Sequence, residues 1–376
     1  MYEELSASRT RRTVTATARL LRALRLDGML LSTLVAVSCF GMFVLYSAAG
    51  DNTALWLSQL ARFGMGFAVM VALARVPDHF FRMLSPAAYA AGIVLLVLVA
   101  VAGDVGKGAQ RWLDLGVVRF QPSEILKLAV PMMCAWYLHQ RPLPPSARDV
   151  GIVLAVVVLP VLLIAEQPDL GTALLVAAAG IIVLVMGGLS WAFIAGGVAL
   201  MGAAVPLAWH FLHDYQRQRL LTLLDPQSDA LGAGYHIIQS QIAIGSGGVF
   251  GKGWTNGTQA QLEFLPERST DFIFAVIGEE LGLLGLFALL VGYAFIVGRG
   301  LYMAMQCRDA FARLLGGSIA LTFFVYAFVN AGMVMGLLPV VGVPLPLVSY
   351  GGTSFVTLMA GFGILMSLYS SRKLVS

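Results

Sequence analysis

Several charged residues in this sequence stand beside or inside long apolar runs, where charge is costly. In LPERSTDFIFAVIGEELG, Asp271 immediately precedes an apolar run that carries Glu279 and Glu280, and Glu267 lies four residues before Asp271. A carboxylate in a partly dehydrated site can act as a general base or bind a divalent cation. On a helix with about 100° per residue, Glu279 lies about 80° from Asp271 and Glu280 about 180° away. We therefore expect Glu279 to face the cavity and Glu280 to pair with another helix.

For Asp271 itself, a simpler interpretation stays open. Placed in the first turn of a helix, its carboxylate would compensate the positive end of the helix dipole, and Thr270 or Ser269 could cap the same helix. The neighbouring acids favour a site over capping alone.

A second charged group lies in QPSEILKLA, where Glu124 and Lys127 have the i, i+3 spacing of one helix face. One interpretation is an ion pair within the membrane. The other is that Lys127 joins Arg111 in a cationic patch that binds an anion. Arg111 precedes Trp112, a residue type enriched at membrane interfaces.

Two further polar positions stand close to predicted helix starts. Asp169 lies in EQPDLGT, where it either caps a helix or joins the site. Ser349 precedes Gly351 and Gly352 in SYGGTSF, and backbone N–H groups at a helix N-terminus suit an anion. The alternative for the two glycines is a close contact between helices.

Composition places these residues in a membrane. The 376 residues are 59% hydrophobic and 12% charged, with a mean hydropathy of +0.83, whereas soluble domains are roughly 45–50% apolar and about 25% charged. Because strand-like alternation is absent, the fold class is all-α, a polytopic bundle of helices and not a barrel. The net charge of +4 does not favour nucleic acid as a partner, and the three distant cysteines predict no disulfide framework.

A membrane-crossing helix needs about 20 mostly apolar residues. The sequence contains ten such segments. They lie at 28–48, 57–74, 86–102, 121–138, 150–165, 170–187, 191–211, 272–298, 313–334 and 350–369.

Positive charge predicts the orientation. With ten spans, about 15 Lys and Arg residues fall on the side of the termini and about seven on the other, so both termini are predicted to be cytoplasmic. Residues 1–27 then form a basic cytoplasmic arm and 28–211 the first seven spans. Residues 212–271 form a large outer loop, and 272–376 hold the last three spans and a short tail. Within the outer loop, DYQRQRLLTLLDP has the spacing of an interfacial helix.

Several site types are not supported by the sequence. The glycine-rich run GSGGVFGKGWTNGT matches no phosphate-binding loop, which argues against a nucleotide cofactor. His210 and His213 lack a third ligand at zinc-like spacing. No serine-nucleophile motif is present.

Five ordered blocks resemble the signature blocks of the SEDS family (shape, elongation, division and sporulation) over roughly residues 28–370. They are GAQRWLDLG, QPSEILKLA, QPDLGTALL, FLPERSTDFIFAVIGEELG and LPLVSYGGTSF. TQAQLEFLPERSTDFIF and GAQRWL are more similar to the elongation branch than to the division branch. Ser269 departs from the histidine common at its position, while the acid two residues later is kept.

The resemblance implies a ten-span peptidoglycan glycosyltransferase. Such enzymes polymerise lipid II at the periplasmic face of the bacterial inner membrane, and a class B penicillin-binding protein cross-links the product. By position, Asp271 matches the family's essential aspartate. The family's other polar signature positions fall on Arg111, Glu124, Lys127, Glu267, Asp169 and Ser349.

On this basis Asp271 is expected to be the general base toward the acceptor hydroxyl, or a ligand of a divalent cation such as Mg²⁺. Arg111 and Lys127 would neutralise the departing pyrophosphate. Two alternatives stay open, a flippase for the lipid-linked precursor and a non-catalytic scaffold for the penicillin-binding protein. Glu279 and Glu280, which lie deeper, are the residues that favour a transporter.

Overall fold

The computed structural model describes most of the chain. The described ranges are 24–50, 52–102, 104–106, 109–114, 119–211, 214–229, 232–262, 264–265 and 267–371. Most of the predicted basic arm, His213 and the last residues of the predicted tail lie outside these ranges.

Helices dominate the described residues, and each predicted span falls on one of them. The first seven are α1 Gly28–Ala49, α2 Thr53–Arg75, α3 Asp78–Ala102, α4 Pro122–Leu138, α5 Ala147–Glu166, α6 Leu170–Met186 and α7 Trp191–Phe211. The remaining helices are α8 Asp214–Leu224, a 3₁₀ turn at Pro226–Asp229, α9 Ala233–Gly247, α10 Thr258–Gln261, α11 Ile273–Met305, α12 Ala310–Val334 and α13 Thr353–Ser370.

Seven helices within the described ranges are long and apolar enough to cross a membrane, namely α1, α2, α3, α5, α11, α12 and α13. Helices α4 and α6 have 17 residues each, and α4 also carries Glu124 and Lys127. The protein is therefore an integral membrane protein, while the full count of ten crossings stays a prediction.

A small antiparallel sheet separates α3 from α4. Its strands are β1 Asp104–Gly106, β2 Ala109–Asp114 and β3 Arg119–Phe120, in the order β1-β2-β3. The all-α class holds for the mostly helical chain, but the sequence did not predict these strands, because strands of two to six residues are too short to show an alternating pattern. The sheet matters for the site because β2 carries Arg111.

Helix α12 is the centre of the bundle and packs against α4, α6, α11 and α13. Its face toward the neighbours is filled by large side chains, and Phe323 contacts Tyr293 of α11 and Phe362 of α13 edge-on. Near the end of α11 that is far from Asp271, Arg299 binds Asp27 at 2.6 Å, and Asp27 also caps α1. Both contacts fix the helices that carry the site.

The predicted outer loop at 212–271 is largely helical. The segment predicted as an interfacial helix is α8, and α9 packs along α11. A Cβ on Gly247 of α9 would lie 1.9 Å from the carbonyl oxygen of Gly278, so the two backbones touch. Part of the predicted loop is thus packed on the helix that follows Asp271.

Helix α11 is broken at Gly282, whose φ of 65° and ψ of −160° are non-helical. The segment 247–253 fills the break. Lys252 and Gly253 donate their N–H groups to the carbonyls of Glu279 and Glu280, and residues 283 and 284 donate theirs to Gly248 and Val249. Within a membrane a helix break persists when a neighbouring segment satisfies the released backbone groups.

Gly251 is the tightest point of this insertion. It has a φ of 78°, and an added Cβ would lie 2.1 Å from the Glu280 carbonyl oxygen. Gly248 has a similar φ of 57° but no atom within 4 Å of an added Cβ. A comparison of substitutions at Gly251 and Gly248 therefore separates the cost of a steric contact from the cost of backbone strain.

We expect Gly251→Ala to lower the thermal unfolding midpoint of the detergent-purified protein more than Gly248→Ala does. Both changes cost about 1–2 kcal/mol of backbone strain, and Gly251→Ala adds about 1–3 kcal/mol of overpacking. Equal midpoints for the two variants would show that the segment does not insert into the α11 break.

Candidate functional site

The connection between α12 and α13, residues 335–352, is where the predicted site residues converge. Ser349 donates its hydroxyl to the Thr270 carbonyl at 2.5 Å and accepts the N–H of Leu345 at 2.8 Å. Next to it, the N–H of Tyr350 donates to the Ser269 carbonyl at 2.8 Å. These bonds hold the chain before Asp271 against the chain before α13.

Asp271 is partly buried and lies two residues before α11 begins. Asp271 thus lies next to the N-cap residue, Phe272, whose side chain makes no capping hydrogen bond. Asn330 of α12 donates to the Asp271 carbonyl at 2.9 Å and to the Val343 carbonyl at 2.7 Å. A Cβ on Gly342 would lie 3.6 Å from Asp271 Oδ2, so the carboxylate lies beside Gly342.

Asp169 approaches the same segment from the other side. It caps α6 by accepting the Thr172 N–H at 3.2 Å, as one of its two interpretations predicted, and it accepts Gln121 Nε2 at 2.8 Å. A Cβ on Gly171 would lie 2.5 Å from the Val341 carbonyl oxygen. The start of α6 and Asp271 therefore flank one short stretch of backbone.

Arg111 is anchored beside Asp169. Its guanidinium donates to the carbonyls of Gln167, at 3.0 Å, and Pro168. Because carbonyls orient a guanidinium without cancelling its charge, Arg111 contributes positive potential at this end of α6.

Glu124 and Lys127 form the predicted ion pair, with 2.8 Å between Oε1 and Nζ and both side chains buried. The ammonium also lies 5.4 Å from the ring centre of Tyr326, which packs with Val343. The other interpretation, in which Lys127 joins Arg111 in a patch that binds an anion, stays a prediction, and in this structure the Lys127 ammonium is engaged by Glu124. Buried charges are strongly favoured to stay paired, since desolvation penalises an isolated one.

The prediction for Glu280 is confirmed and that for Glu279 is wrong. Glu280 accepts the hydroxyl of Ser47 on α1 at 2.6 Å. Glu279 is 0% exposed and faces the inserted segment instead of a cavity. Its carboxylate accepts hydrogen bonds from Lys252 Nζ, Thr258 Oγ1 and the N–H groups of Gln259 and Ala260.

Sequence reasoning missed three polar residues that shape the site. Asn330 holds Asp271, and Gln59 of α2 donates to the Ser349 carbonyl at 3.3 Å. Arg62 stacks over the Tyr350 ring at 4.3 Å, and within the described ranges its buried Nη1 has no hydrogen-bond partner. All three lie inside predicted spans, so the cost of a polar group in a membrane was the signal that could have found them.

Glu267 and His236 border the site. Glu267 is exposed and accepts the Thr270 hydroxyl at 2.8 Å. His236 of α9 lies 5.7 Å from the ring of Phe272, the residue after Asp271. Burial lowers the pKa of His236, and the charges of Glu267 and Asp229 oppose that shift.

The described residues contain no group of three or more His, Cys, Asp or Glu side chains that could hold a metal ion. Asp271 therefore offers a single carboxylate and not a cage. A divalent cation here would need oxygens from a bound substrate, as Mg²⁺ commonly does.

The buried ion pair gives a test of the α4 geometry. We expect Lys127→Met to lower the free energy of unfolding by about 3–5 kcal/mol, because Glu124 would be left charged and unpaired. Glu124→Gln combined with Lys127→Met should recover most of that loss in thermal unfolding of the purified protein. An unchanged midpoint for Lys127→Met alone would contradict the pairing.

Comparison with known proteins identifies the family of this chain. Residues 21–374 match the FtsW, RodA and SpoVE family of cell cycle proteins. The peptidoglycan glycosyltransferase MrdB of Escherichia coli strain K12 is 53% identical over 352 residues, which cover 93% of this chain and 95% of that protein. The probable peptidoglycan glycosyltransferase FtsW of Geobacter metallireducens is 35% identical and covers 93% of this chain and 96% of its own length.

Solved structures agree with the sequence comparisons. The rod shape determining protein RodA of Thermus thermophilus has a TM-score of 0.71 at 28% identity, covering 92% of this chain and 97% of that one. A chain of a peptidoglycan synthase complex that coordinates polymerization and crosslinking has a TM-score of 0.82 at 32% identity, covering 93% and 98%. Because the match spans nearly the whole chain in sequence and in fold, this protein belongs to the FtsW, RodA and SpoVE family.

Proposed function

We propose that this chain is a peptidoglycan glycosyltransferase of the elongation branch that polymerises lipid II into glycan strands. The names of its relatives support the reaction, and 53% identity to MrdB against 35% to FtsW supports the branch. The observation that carries the proposal is the position of Asp271. Asn330 holds its main-chain carbonyl, the residue is partly exposed, and its carboxylate lies beside Gly342.

In the proposed reaction, a sugar hydroxyl of one lipid II molecule attacks the anomeric carbon that joins a second glycan substrate to its diphosphate. The new glycosidic bond forms as the bond to the diphosphate breaks, and the diphosphate leaves with its electron pair. Asp271 accepts the hydroxyl proton as general base. Because the loop contacts fix its backbone on both sides, the carboxylate needs little reorganisation to reach the hydroxyl.

Positive charge is needed where the diphosphate leaves. Arg111 and Arg62 are the candidates that the site geometry supports, since neither guanidinium forms an ion pair with a carboxylate among the described residues. Lys127 is a further predicted cation, and its ammonium pairs with Glu124 beside the Tyr326 ring.

The alternative role of Asp271 is that of a ligand to a divalent cation such as Mg²⁺. Such an ion would supply charge neutralisation for the diphosphate when bound. Asp271, with Glu267 four residues before it in the sequence, would hold the ion together with oxygens of the bound substrate.

Topology and partner follow as parts of the same proposal. Ten helices cross the inner membrane, both termini are cytoplasmic, and Asp271 faces the periplasm beside the 212–271 segment. A class B penicillin-binding protein is the proposed partner, supported by the structural likeness to a chain of a complex for polymerization and crosslinking.

The transporter alternative rested on Glu279 and Glu280. Both are buried and accept hydrogen bonds, Glu279 from Lys252 and the N–H of Gln259 and Glu280 from Ser47. Hydrogen bonds of this kind indicate a structural role for the two carboxylates, which favours an enzyme over a flippase.

We expect Asp271→Asn to slow glycan polymerisation from purified lipid II by about 10²-fold or more, since general-base catalysis contributes that much. Asp309→Asn is the matched control, because it removes a carboxylate from the ion pair with Arg82 near the start of α12. Polymer made in detergent by wild type identifies an enzyme. Movement of lipid II across vesicles without polymer would identify a flippase, and wild-type turnover by Asp271→Asn would exclude this residue as the base.

Asn330 is a positioning residue, and we expect Asn330→Ala to lower kcat with a smaller effect on KM. The change frees the Asp271 and Val343 carbonyls and lets the carboxylate move. Ser318→Ala is the control, because it removes another buried hydrogen bond of α12, to the Ala179 carbonyl, away from Asp271. Equal losses of activity in the two variants at matched stability would contradict a positioning role.

A further inference from the structure

A row of buried polar side chains follows one face of α12 inward from the candidate site. It consists of Ser318, Thr322, Tyr326 and Asn330, at four-residue steps, and none of them is more than 8% exposed. At its outer end Asn330 holds the Asp271 carbonyl, and at its inner end Ser318 donates to the Ala179 carbonyl. Because a polar group inside a membrane is costly unless it is hydrogen-bonded, each member of the row needs a partner.

The Thr322 hydroxyl is a buried group without a hydrogen bond. Its Oγ1 has no partner within the described ranges. Thr322 stands twelve positions from each end of α12, about 18 Å along the axis at about 1.5 Å per residue, so bulk water at either membrane surface is distant. Native structures rarely leave such a hydroxyl unsatisfied, and this one therefore requires a ligand or an explanation.

Helix α4 contributes a second unsatisfied group at the same depth of the bundle. Pro131 lies inside α4 and has no N–H, so the Lys127 carbonyl, four residues earlier, lacks the donor that an α-helix supplies. A membrane helix tolerates an internal proline when a neighbouring side chain or an ordered water satisfies the released carbonyl. Thr322 Oγ1 does not do so directly, since it has no partner.

Both groups meet at a small cavity of about 30 Å³ between α4, α12 and α13, which Lys127, Pro131 and Thr322 line. Ser318 and Thr357 also line it, and each donates its hydroxyl proton to a main-chain carbonyl, which leaves its oxygen free to accept. A buried water needs about 10–15 Å³ of such volume and about two to four polar partners. The cavity meets both conditions for one or two water molecules.

We propose that this cavity binds ordered water that joins the Thr322 hydroxyl to the Lys127 carbonyl. The water donates to the carbonyl that Pro131 leaves without a helical donor, and it forms the missing hydrogen bond of Thr322. The volume is too small for a sugar or a lipid chain, and the apolar side chains that complete the lining, among them Phe323 and Phe362, disfavour a desolvated ion. Water at this position allows α4 to keep a proline inside the membrane next to the Glu124–Lys127 pair.

The sign of the stability change in Thr322→Val tests the proposal, because valine lacks the hydroxyl but keeps the branched shape. If Thr322 binds water, we expect the thermal midpoint of the detergent-purified protein to fall by about 2 °C, since a hydrogen bond is lost. A hydroxyl without any partner gives the opposite sign, because valine then removes an unsatisfied group.

Thr33→Val of α1 is the matched control, because the Thr33 hydroxyl donates to the Met29 carbonyl of its own helix. Its midpoint should stay close to wild type. A midpoint of Thr322→Val equal to or above that of wild type would overturn the proposal.

X-ray footprinting of the wild-type protein tests the water without any substitution, because radicals formed from bound water oxidise the buried side chains that touch it. Phe323 lines the cavity and Phe311 of the same helix lies outside its lining, and each is 1% exposed. We expect Phe323 to be oxidised several-fold faster than Phe311, and Thr322→Val to reduce this difference. Equally slow oxidation of the two phenylalanines in wild type would show a dry cavity and refute the water site. Neither measurement depends on the proposed glycosyltransferase activity.

Discussion

The hydrogen bonds of Asn330 and Ser349 are the constraint on which the site depends. One amide of α12 binds the carbonyls of Asp271 and Val343, and one hydroxyl joins Thr270 to Leu345. Both connect irregular backbone that has no helical partner of its own. In a membrane protein such backbone needs hydrogen bonds from protein groups or from water in a cavity. The side chains of Asn330 and Ser349 therefore fix the position of Asp271.

Around this junction, charges are either paired or held by carbonyls. Glu124 and Lys127 neutralise each other, Glu279 accepts several donors, and Arg111 rests on two carbonyls. Asp271 is held through its main chain, because Asn330 donates to its carbonyl, and its carboxylate lies beside Gly342. A fixed backbone reduces the reorganisation that a carboxylate would need to act as a general base.

Sequence patterns predicted the helices well because hydrophobic length and charge placement are strong signals in membranes. The Glu124–Lys127 pair followed from helical spacing alone. The partners of Glu279 could not be predicted, because an angle around an ideal helix says nothing of a segment inserted from elsewhere. Asn330 and Arg62 were visible as polar residues in apolar spans, yet their partners come from distant parts of the chain and appear only when the bundle is assembled.

The break at Gly282 couples two parts of the chain that would otherwise move separately. Four backbone hydrogen bonds join the segment 247–253 to both sides of the break, and Trp254, which follows directly, stacks on Phe43 and Tyr46 of α1. A molecule that pulled this segment outward would have to replace those bonds or let α11 straighten. Displacement at the surface and a change of helix direction inside the membrane are consequently a single event in this fold.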